Sequence, residues 1–261
     1  MVDWLRASFR LTLLLLFVLV MYSWLVISSF FLAGFNGLRG RGFWSSTDVW
    51  RSGIFHSWGG WVLPLLGIRL TVRGTPPAAP FLLVSNHLSY LDILVLASQL
   101  RAVFIAKSEV KGWPVLGTLC RLVDTQFIQR DRKNDILRML KRITEVLESG
   151  RGVVFFPEGT TSNGESIQPF KPALLAVAAK SGEPVAYAAL SYAVPPGSPP
   201  ASDSVCWWGG VGFAGHFLTV LRMPRIDATV SFGDKKIHEH DRKALARRLQ
   251  AAVSKEFIVV I

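Results

Sequence analysis

The sequence predicts an α/β fold, a mixed sheet flanked by helices, that follows an N-terminal membrane helical segment. Three observations lead to this prediction. Residues 11–35 contain no charged side chain. After residue 66, short apolar runs alternate with stretches of helical periodicity, as strands and helices do in α/β sheets. Polar residues follow the apolar run 81–84, and the end of a strand is a common place for chemistry in such folds. We therefore expect two parts, residues 1–66 and residues 67–261.

The uncharged stretch 11–35 is long enough, at about 1.5 Å per residue, to cross a hydrocarbon core of about 30 Å. It is too long for the apolar part of a signal peptide, and no small-residue cleavage site follows it. Two arginines lie on each side, so the charge bias does not decide its orientation. A second apolar stretch, 54–70, carries Trp58 and Trp61, as expected at a membrane interface. The pair is compatible with a helical hairpin in one leaflet and with a single span followed by an interfacial helix.

The composition favours a membrane surface over nucleic acid as the partner of this basic chain. The net charge is +11, the pI is about 10.1 and half of the residues are hydrophobic. The lysines and arginines are dispersed and not interleaved with aromatic residues, so we expect no nucleic-acid partner. Cys120 and Cys206 are too few and too far apart for a metal site, and they favour a reducing compartment.

The strands are predicted from apolar runs bounded by glycine, proline or charged residues. These runs occupy 68–72, 81–84, 102–106, 122–128, 153–156, 185–190 and 226–232. The helices are predicted from apolar residues at a spacing of three or four, with glycines at their ends. They begin at Leu91 and continue with 107–122 (interrupted at 112–114), 131–148, 172–180 and 241–256. The Pro- and Ser-rich segment 194–204 is predicted to be a loop.

Residues 81–92, FLLVSNHLSYLD, form the central segment of the chain. Ser85 and Asn86 are predicted to be helix N-caps. Five residues along an ideal helix rotate by about 500°, so His87 and Asp92 meet only if His87 precedes the helix and Asp92 lies in its first turn. There the carboxylate would orient the imidazole and raise its basicity, giving a general base without a serine nucleophile. The alternative is a capping residue, a surface histidine and an aspartate favoured by the helix dipole.

Four segments then resemble a known family. Asn86, His87 and Asp92 spell N-H-x-x-x-x-D, which resembles the first motif of the glycerolipid acyltransferases, the 1-acylglycerol-3-phosphate acyltransferase family. FPEGTTS at 156–162 is similar to that family's F-P-E-G-T-x-S. FIQR at 127–130 and KSE at 107–109 resemble its F-I-x-R and K-x-E segments. The resemblance covers about residues 65–235, with the motifs in the family's order.

The resemblance implies an acyltransferase-like α/β fold and the transfer of an acyl group from a thioester to a lipid hydroxyl. His87 and Asp92 would be catalytic, and the donor, acyl-CoA or acyl carrier protein, would be a co-substrate, with no further cofactor. The family's acceptor-binding positions are Arg130, Glu158, Gly159, Thr160 and, less strongly, Lys107. Lys171 is a weaker candidate still. Arg130 could instead be a solvated charge before a helix, and 158–160 only a turn at a strand end.

The acceptor expected from the resemblance is the lysophospholipid 1-acylglycerol-3-phosphate, which would give phosphatidic acid. Thr161 and Ala173 depart from the family, which commonly has arginine and glycine there. Trp207-Trp208-Gly209 and His216 resemble members thought to acylate lyso-ornithine lipids. A lyso-ornithine lipid O-acyltransferase, or a non-catalytic lipid-binding protein on the same fold, are therefore the alternatives. We expect the protein in the membrane, in a bacterial inner membrane with the catalytic domain on the cytoplasmic side.

Two other patterns are set aside. GVGFAG at 210–215 fits G-x-G-x-x-G, but it comes late in the chain and follows a loop, whereas a dinucleotide fingerprint opens a first βα unit. His238 and His240 lack the i, i+4 spacing of a helical zinc site. No metal is therefore expected.

Overall fold

The computed structural model describes residues 2–38, 47–113 and 116–260. In chain order its elements are α1 Val2–Leu38, α2 Thr47–Leu65, β1 Ile68–Arg73, β2 Phe81–Ser85, α3 Leu91–Ala97, β3 Ala102–Lys107, a 3-10 helix Ser108–Gly112, α4 Leu116–Leu122, β4 Gln126–Ile128, α5 Lys133–Glu148, β5 Gly152–Phe155, α6 Ala176–Ser181, β6 Val185–Ala193, α7 Ala201–Ser204, α8 Phe213–Arg222, β7 Ile226–Phe232 and α9 Arg242–Glu256.

The strands of the described residues form one sheet in the order β1-β7-β6-β2-β5-β3-β4. The pair β6 and β7 is antiparallel, whereas every other neighbouring pair is parallel. The predicted mixed sheet is therefore confirmed. As a consequence β2, β3, β4, β5 and β6 run in the same direction, and their carboxyl ends lie along one edge. Segments that leave those ends can form a common site.

Helices cover both faces of the sheet, and each face has its own apolar core. Alternate side chains of a strand point to opposite faces, so Leu83 belongs to one core while Leu82 and Val84 belong to the other. The first core includes residues of α1, α2, α3 and α8. The second includes residues of α5, α6 and α9. The predicted N-terminal helices therefore pack on a single face of the sheet.

The helix α1 is long and apolar enough to cross a membrane, and its surface away from the sheet is exposed. Its first turns are attached to the sheet domain, since the Arg10 guanidinium donates to the carbonyl of Met223 at 2.6 Å. Further along, the Phe17 ring meets the edges of Trp58 and Trp61 of α2, with centroids 6.4 Å apart in both pairs. Large apolar side chains remain exposed along α1, at Leu15, Leu16, Leu19, Val20, Trp24, Ile27, Phe30, Phe31 and Phe35.

The second apolar stretch, 54–70, covers the last part of α2 and the start of β1, and the strand predicted from residue 68 is confirmed. The helix α2 ends at Leu65, and Gly67, with φ +73°, turns the chain into β1. The predicted boundary after residue 66 falls in this turn. Leu63 and Leu66 nevertheless share the first core with the sheet, and the division into two parts stays a prediction.

The largest differences from the predicted bounds concern three elements. The strand predicted at 122–128 is shorter, because α4 runs to Leu122 and the chain then turns at Asp124, with φ +60°. The helix predicted at 172–180 begins only at Ala176, because the N–H of Lys171 pairs with the carbonyl of Pro157 at 2.9 Å and holds the preceding segment out of the helix. The predicted loop 194–204 contains the short helix α7. The interruption at 112–114 follows the 3-10 helix, although Pro114 lies outside the described residues.

The helix α8 was not predicted at all. Its glycines obscure the helical pattern, since glycine is a poor helix former. Its apolar residues nevertheless recur at helical spacing, at Phe213, Phe217, Val220 and Leu221. That spacing is the signal that could have identified it.

Candidate active site

His87 and Asp92 lie together at the carboxyl end of β2. His87 is in the loop before α3 and Asp92 is the second residue of that helix. The His87 Nδ1 is 2.7 Å from Asp92 Oδ2, which is the arrangement that the sequence spacing requires. Because a carboxylate oxygen only accepts, Nδ1 donates and the lone pair of the neutral ring is on Nε2. The ring stacks on Phe156 with centroids 4.0 Å apart, and the histidine side chain remains 18% exposed while that of Asp92 is fully buried. The pair therefore has the geometry of an oriented general base.

The predicted N-cap role of Ser85 and Asn86 is wrong. Ser85 is the last residue of β2, and the helix N-cap position is occupied by Tyr90. The Asn86 side chain instead bridges to β6, where its Oδ1 accepts from the N–H of Leu190 at 2.7 Å and its Nδ2 donates to the Leu190 carbonyl at 2.9 Å. A fully buried amide needs such partners, and the neighbouring strand supplies both. The asparagine therefore ties the start of the loop to the sheet.

Glu158 connects the base to the turn after β5. Its Oε1 accepts from the N–H of His87 at 2.9 Å, and its Oε2 accepts from the N–H of Gln168 at 3.3 Å. Burial raises the pKa of this carboxyl to about 8, although the two backbone donors oppose that shift. Since both oxygens are engaged with the backbone, Glu158 fixes the loop that carries the histidine. Its predicted contact with substrate stays a prediction.

Arg130 and Lys171 converge on Gly159. The Nη1 of Arg130, which follows β4, donates to the carbonyl of Gly159. A Cβ on Gly159 would lie 2.8 Å from that Nη1 and 3.0 Å from the Nζ of Lys171, and the residue has φ +80°. Only glycine accommodates both the backbone conformation and the two cations. Burial lowers the pKa of Arg130, which still carries its charge at neutral pH.

The other predicted binding residues occupy the rim of the same edge. Lys107 is exposed at the end of β3, where it is paired in register with Ile128 of β4. Thr160 is exposed immediately after Gly159. Lys171 ranked below Lys107 on sequence grounds, yet it is the lysine placed against Gly159. Its position depends on how the segment after β5 folds back, which local periodicity does not reveal.

Comparisons with known proteins agree with this geometry. The family model described as acyltransferase matches residues 69–191. The lyso-ornithine lipid O-acyltransferase of Brucella abortus is 38% identical over 205 residues, covering 74% of this chain and 77% of the relative. The chain belongs to the acyltransferase family. The predicted family and its glycerolipid branch are thereby confirmed, since the 1-acyl-sn-glycerol-3-phosphate acyltransferase of Neisseria meningitidis is 34% identical over 197 residues, 74% of this chain and 76% of that protein.

The fold of this acyltransferase is also that of a solved relative. The crystal structure of the 1-acyl-sn-glycerophosphate acyltransferase PlsC from Thermotoga maritima superimposes with a TM-score of 0.55 at 19% identity, covering 94% of this chain and 97% of that one. The predicted fold class is therefore confirmed. The apolar helix α1 and the membrane-lipid enzymes among the relatives indicate membrane association.

An aromatic cluster borders the acyltransferase site on the face that carries α1. The Trp207 ring lies 5.7 Å from that of Tyr90 and 5.6 Å from that of Trp113, and Phe213 packs 5.0 Å from Tyr90. The N–H of Trp207 donates to the carbonyl of Leu88 at 2.8 Å, within the loop that carries His87. The segment that distinguishes this chain from the common family pattern therefore contacts the loop of the base.

His216 is buried and links this cluster to the same loop. Its Nε2 is 3.0 Å from the carbonyl of Cys206, which only accepts, so Nε2 carries the proton. Its Nδ1 then accepts from the Tyr90 hydroxyl at 3.1 Å. Burial lowers the pKa of His216, consistent with this neutral form. His216 therefore holds Tyr90 in place.

Tyr192 is a residue that the sequence analysis missed. It lies near the end of β6, and its hydroxyl donates to Asp92 Oδ1 at 2.8 Å. The two residues are 100 positions apart in the chain. No local motif marks such a contact, because it depends on the pairing of β6 with β2.

Proposed function

We propose that this acyltransferase transfers a fatty acyl group from acyl-CoA or acyl carrier protein to the free hydroxyl of 1-acylglycerol-3-phosphate, giving phosphatidic acid. The observation that carries the proposal is the convergence of a general base and two cations on one turn. Glu158 accepts from the backbone of His87, and the next residue, Gly159, accepts from Arg130. In the acceptor, the free hydroxyl and the phosphate ester are on adjacent carbons, so the reaction requires the base and the cations to be neighbours.

The polar and apolar borders of the site suit an amphipathic acceptor. Arg130 and Lys171 would hold the phosphate dianion, the arginine through two parallel hydrogen bonds. The aromatic cluster of Tyr90, Trp113 and Trp207 lies on the face that carries α1, where the acyl chain of a membrane lipid would arrive. This arrangement orients the hydroxyl towards His87.

His87 would act directly on the acceptor hydroxyl. Its Nε2 removes the hydroxyl proton as the oxygen attacks the thioester carbonyl, and Asp92 stabilises the imidazolium that forms. The tetrahedral intermediate collapses with breakage of the C–S bond, and the imidazolium returns its proton to the leaving thiolate. The new ester and the free thiol account for every atom and proton.

Direct transfer requires no nucleophile from the protein, because the thioester is already activated. Cys206, whose thiol interacts electrostatically with Asp92, is a poor candidate for an acyl carrier. It is buried, and burial raises the pKa of its thiol, which disfavours the reactive thiolate.

A lyso-ornithine lipid is the second candidate acceptor, and two observations favour it. The Brucella abortus relative named above acts on that lipid by name and is the more similar of the two bacterial relatives described, at 38% against 34%. Trp207 and His216, which resemble that group, both contact the loop of the base. Ornithine carries a carboxylate in place of the phosphate, and Arg130 could bind either anion.

Rates on the two acceptors test the proposal. Purified protein would be mixed with acyl-CoA or acyl carrier protein and with each lysolipid at equal concentration, and the products identified by mass spectrometry. We expect phosphatidic acid to form faster than acylated ornithine lipid, with the His87→Ala protein as the inactive control. A clear preference for the lyso-ornithine lipid would replace the proposed acceptor and leave the base assignment standing.

We also propose that residues 1–66 hold the protein in a bacterial inner membrane, with the sheet domain on the cytoplasmic side. The exposed apolar surface of α1 supports this location, since such a surface is stable in hydrocarbon. Extraction with alkaline carbonate should leave the full-length protein in the membrane, and removal of residues 1–43 should ease its release. Release of the full-length protein into the soluble fraction would contradict the proposal.

A further inference from the structure

We propose that Tyr192 is a positioning residue that holds Asp92, and through it His87, in the orientation that the reaction needs. The inference rests on the proposed role of His87 as the base. Tyr192 is almost completely buried, at 3% exposure, and its hydroxyl is 2.8 Å from Asp92 Oδ1. Tyr192 therefore acts on His87 indirectly, through its hydrogen bond to Asp92.

The hydrogen bonds around Asp92 divide between its two oxygens. The Oδ2 accepts from His87 Nδ1 and from the N–H groups of Leu88 and Ser89, at 2.7, 2.7 and 3.0 Å. All three donors belong to the loop between β2 and α3, which carries the histidine. The Oδ1 accepts from Tyr192, which is paired in register with Ala228 of β7, in a strand that also pairs with β2 as far as Ala188. The Tyr192 hydroxyl is therefore the contact that attaches the Asp92 side chain to the sheet.

The strand β6 holds the catalytic loop at both ends. Leu190 binds the side chain of Asn86 through its N–H and its carbonyl, one residue before His87. Two residues further along the same strand, Tyr192 binds Asp92 at the other end of the loop. The two residues are on the same face of the strand, as their separation by two requires. The loop that carries His87 is thus anchored on both sides of the histidine by residues of one strand.

The Tyr192 hydroxyl keeps its proton, so it remains a donor to Asp92. Burial, followed by the charge of Asp92, raises the pKa of this hydroxyl well above its ordinary value. A donor to an ionised carboxylate stabilises its charge and fixes its orientation. The titratable groups around the Asp92–Tyr192 pair are His87, Glu158 and Cys206, which interact with Asp92, and Tyr90, which interacts with Tyr192.

Removing the hydroxyl should alter both the rate and its pH dependence. In Tyr192→Phe one oxygen of a buried carboxylate loses its donor, so the unprotonated His–Asp pair is destabilised relative to the protonated pair. The base should then become available only at higher pH, and the acid limb of kcat/KM should move to higher pH. We expect kcat at neutral pH to fall on the order of 10- to 100-fold, as when a supporting hydrogen bond is lost. The KM for the acceptor should change little, because Tyr192 lies behind Asp92.

Tyr187→Phe is the matched control. It removes the same hydroxyl from the same strand, but Tyr187 packs against the core on the opposite face of the sheet. We expect wild-type kcat, KM and pH profile from this variant. A Tyr192→Phe protein with the same kinetics as Tyr187→Phe would overturn the inference, provided that His87→Ala is inactive. An active His87→Ala would instead overturn the proposed base.

Fluorotyrosine at position 192 tests the role without removing the hydroxyl. Fluorine strengthens the O–H donor with only a small increase in size, so the acid limb should move to lower pH, opposite to the shift in Tyr192→Phe. This variant also decides the question if Tyr192→Phe does not fold. Shifts in opposite directions would support the inference, whereas a limb that does not move with donor strength would contradict it, since a purely structural role affects all pH values alike.

Discussion

The site has a base half, formed by Asn86, His87 and Asp92, and a cation half, formed by Arg130 and Lys171. The two halves are held in different ways. In the base half, Asn86 and Asp92 are completely buried, and the oxygens of both side chains accept donors from the chain. In the cation half, Lys171 is exposed and Arg130 is only half-buried, and both approach the site with long side chains. One half is therefore ordered by the fold, whereas the other has charges that a bound anion would order.

This difference separates the expected effects of substitutions. Loss of a group in the base half should slow the chemical step and lower kcat, because the hydrogen bonds of this half orient Nε2 of His87 before any ligand binds. Loss of a group in the cation half should weaken acceptor binding and make it less sensitive to salt, because a half-exposed charge acts mainly by attraction to the ligand. The ratio of effects on kcat and KM therefore distinguishes the two halves.

The largest effect is expected from His87→Ala. A positioned base contributes roughly 10²- to 10⁴-fold to the rate, so kcat should fall by that factor with the protein still folded. Asp92→Asn should also be severely impaired, since a neutral amide neither stabilises the imidazolium nor fixes the tautomer of His87. Steady-state kinetics on purified protein measure both, with the exposed His238→Ala as a control that should keep full activity. Near wild-type turnover in a folded His87→Ala protein would refute the base half as described.

Arg130→Ala should mainly affect the acceptor. Truncating one partner of a desolvated charge pair costs about 2–5 kcal/mol, and the half-buried position of Arg130 places its effect at the lower end. We expect the acceptor KM to rise about tenfold or more, with little change for the acyl donor. Arg130→Lys should recover only part of the affinity, because an ammonium lacks the planar fork. Arg138→Ala on the surface of α5 is the control, and an unchanged acceptor KM in Arg130→Ala would remove Arg130 from the cation half.

Gly159→Ala should have a smaller effect on the same half. The added Cβ meets the ends of Arg130 and Lys171, which must move away, and the residue is strained at φ +80°. Gly150→Ala is a matched control for strain, because Gly150 has φ +79° and open space around its Cβ position. Both variants should lose about 1–2 kcal/mol of stability. Only Gly159→Ala should raise the acceptor KM, by several-fold, and equal kinetics in the two variants would mean that the turn does not place the cations.

The last prediction concerns stability and not kinetics, at Glu158, where the two halves meet. Its pKa is raised from 4.5 to about 8. The unfolded chain therefore loses this proton at lower pH than the folded protein, so stability falls as pH rises from about 4.5 to about 8. Thermal unfolding across this range should show a steeper loss for the wild type than for Glu158→Gln, which cannot titrate. Parallel curves would indicate that Glu158 is already ionised in the folded protein.

The base half was largely predictable from the sequence, whereas the cation half was only partly so. His87 and Asp92 are close in the chain, and helix geometry alone limits how they can meet. Arg130 and Gly159 were predicted only through the resemblance of their motifs. Lys171 ranks below Lys107 on sequence grounds, and nothing in PFKPA shows that its segment folds back onto Gly159.

The sequence by itself determined the alternation of strands and helices, the apolar N-terminal helix and the placement of the base at a strand end. These features follow from local periodicity and spacing, which a single segment carries. The tertiary structure decided that Asn86 bridges to Leu190, that Tyr192 binds Asp92 and that β7 runs antiparallel to β6. Each of these depends on which strands become neighbours. Neighbouring strands are selected by the packing of the whole core, so residues 100 positions apart meet without any local signal.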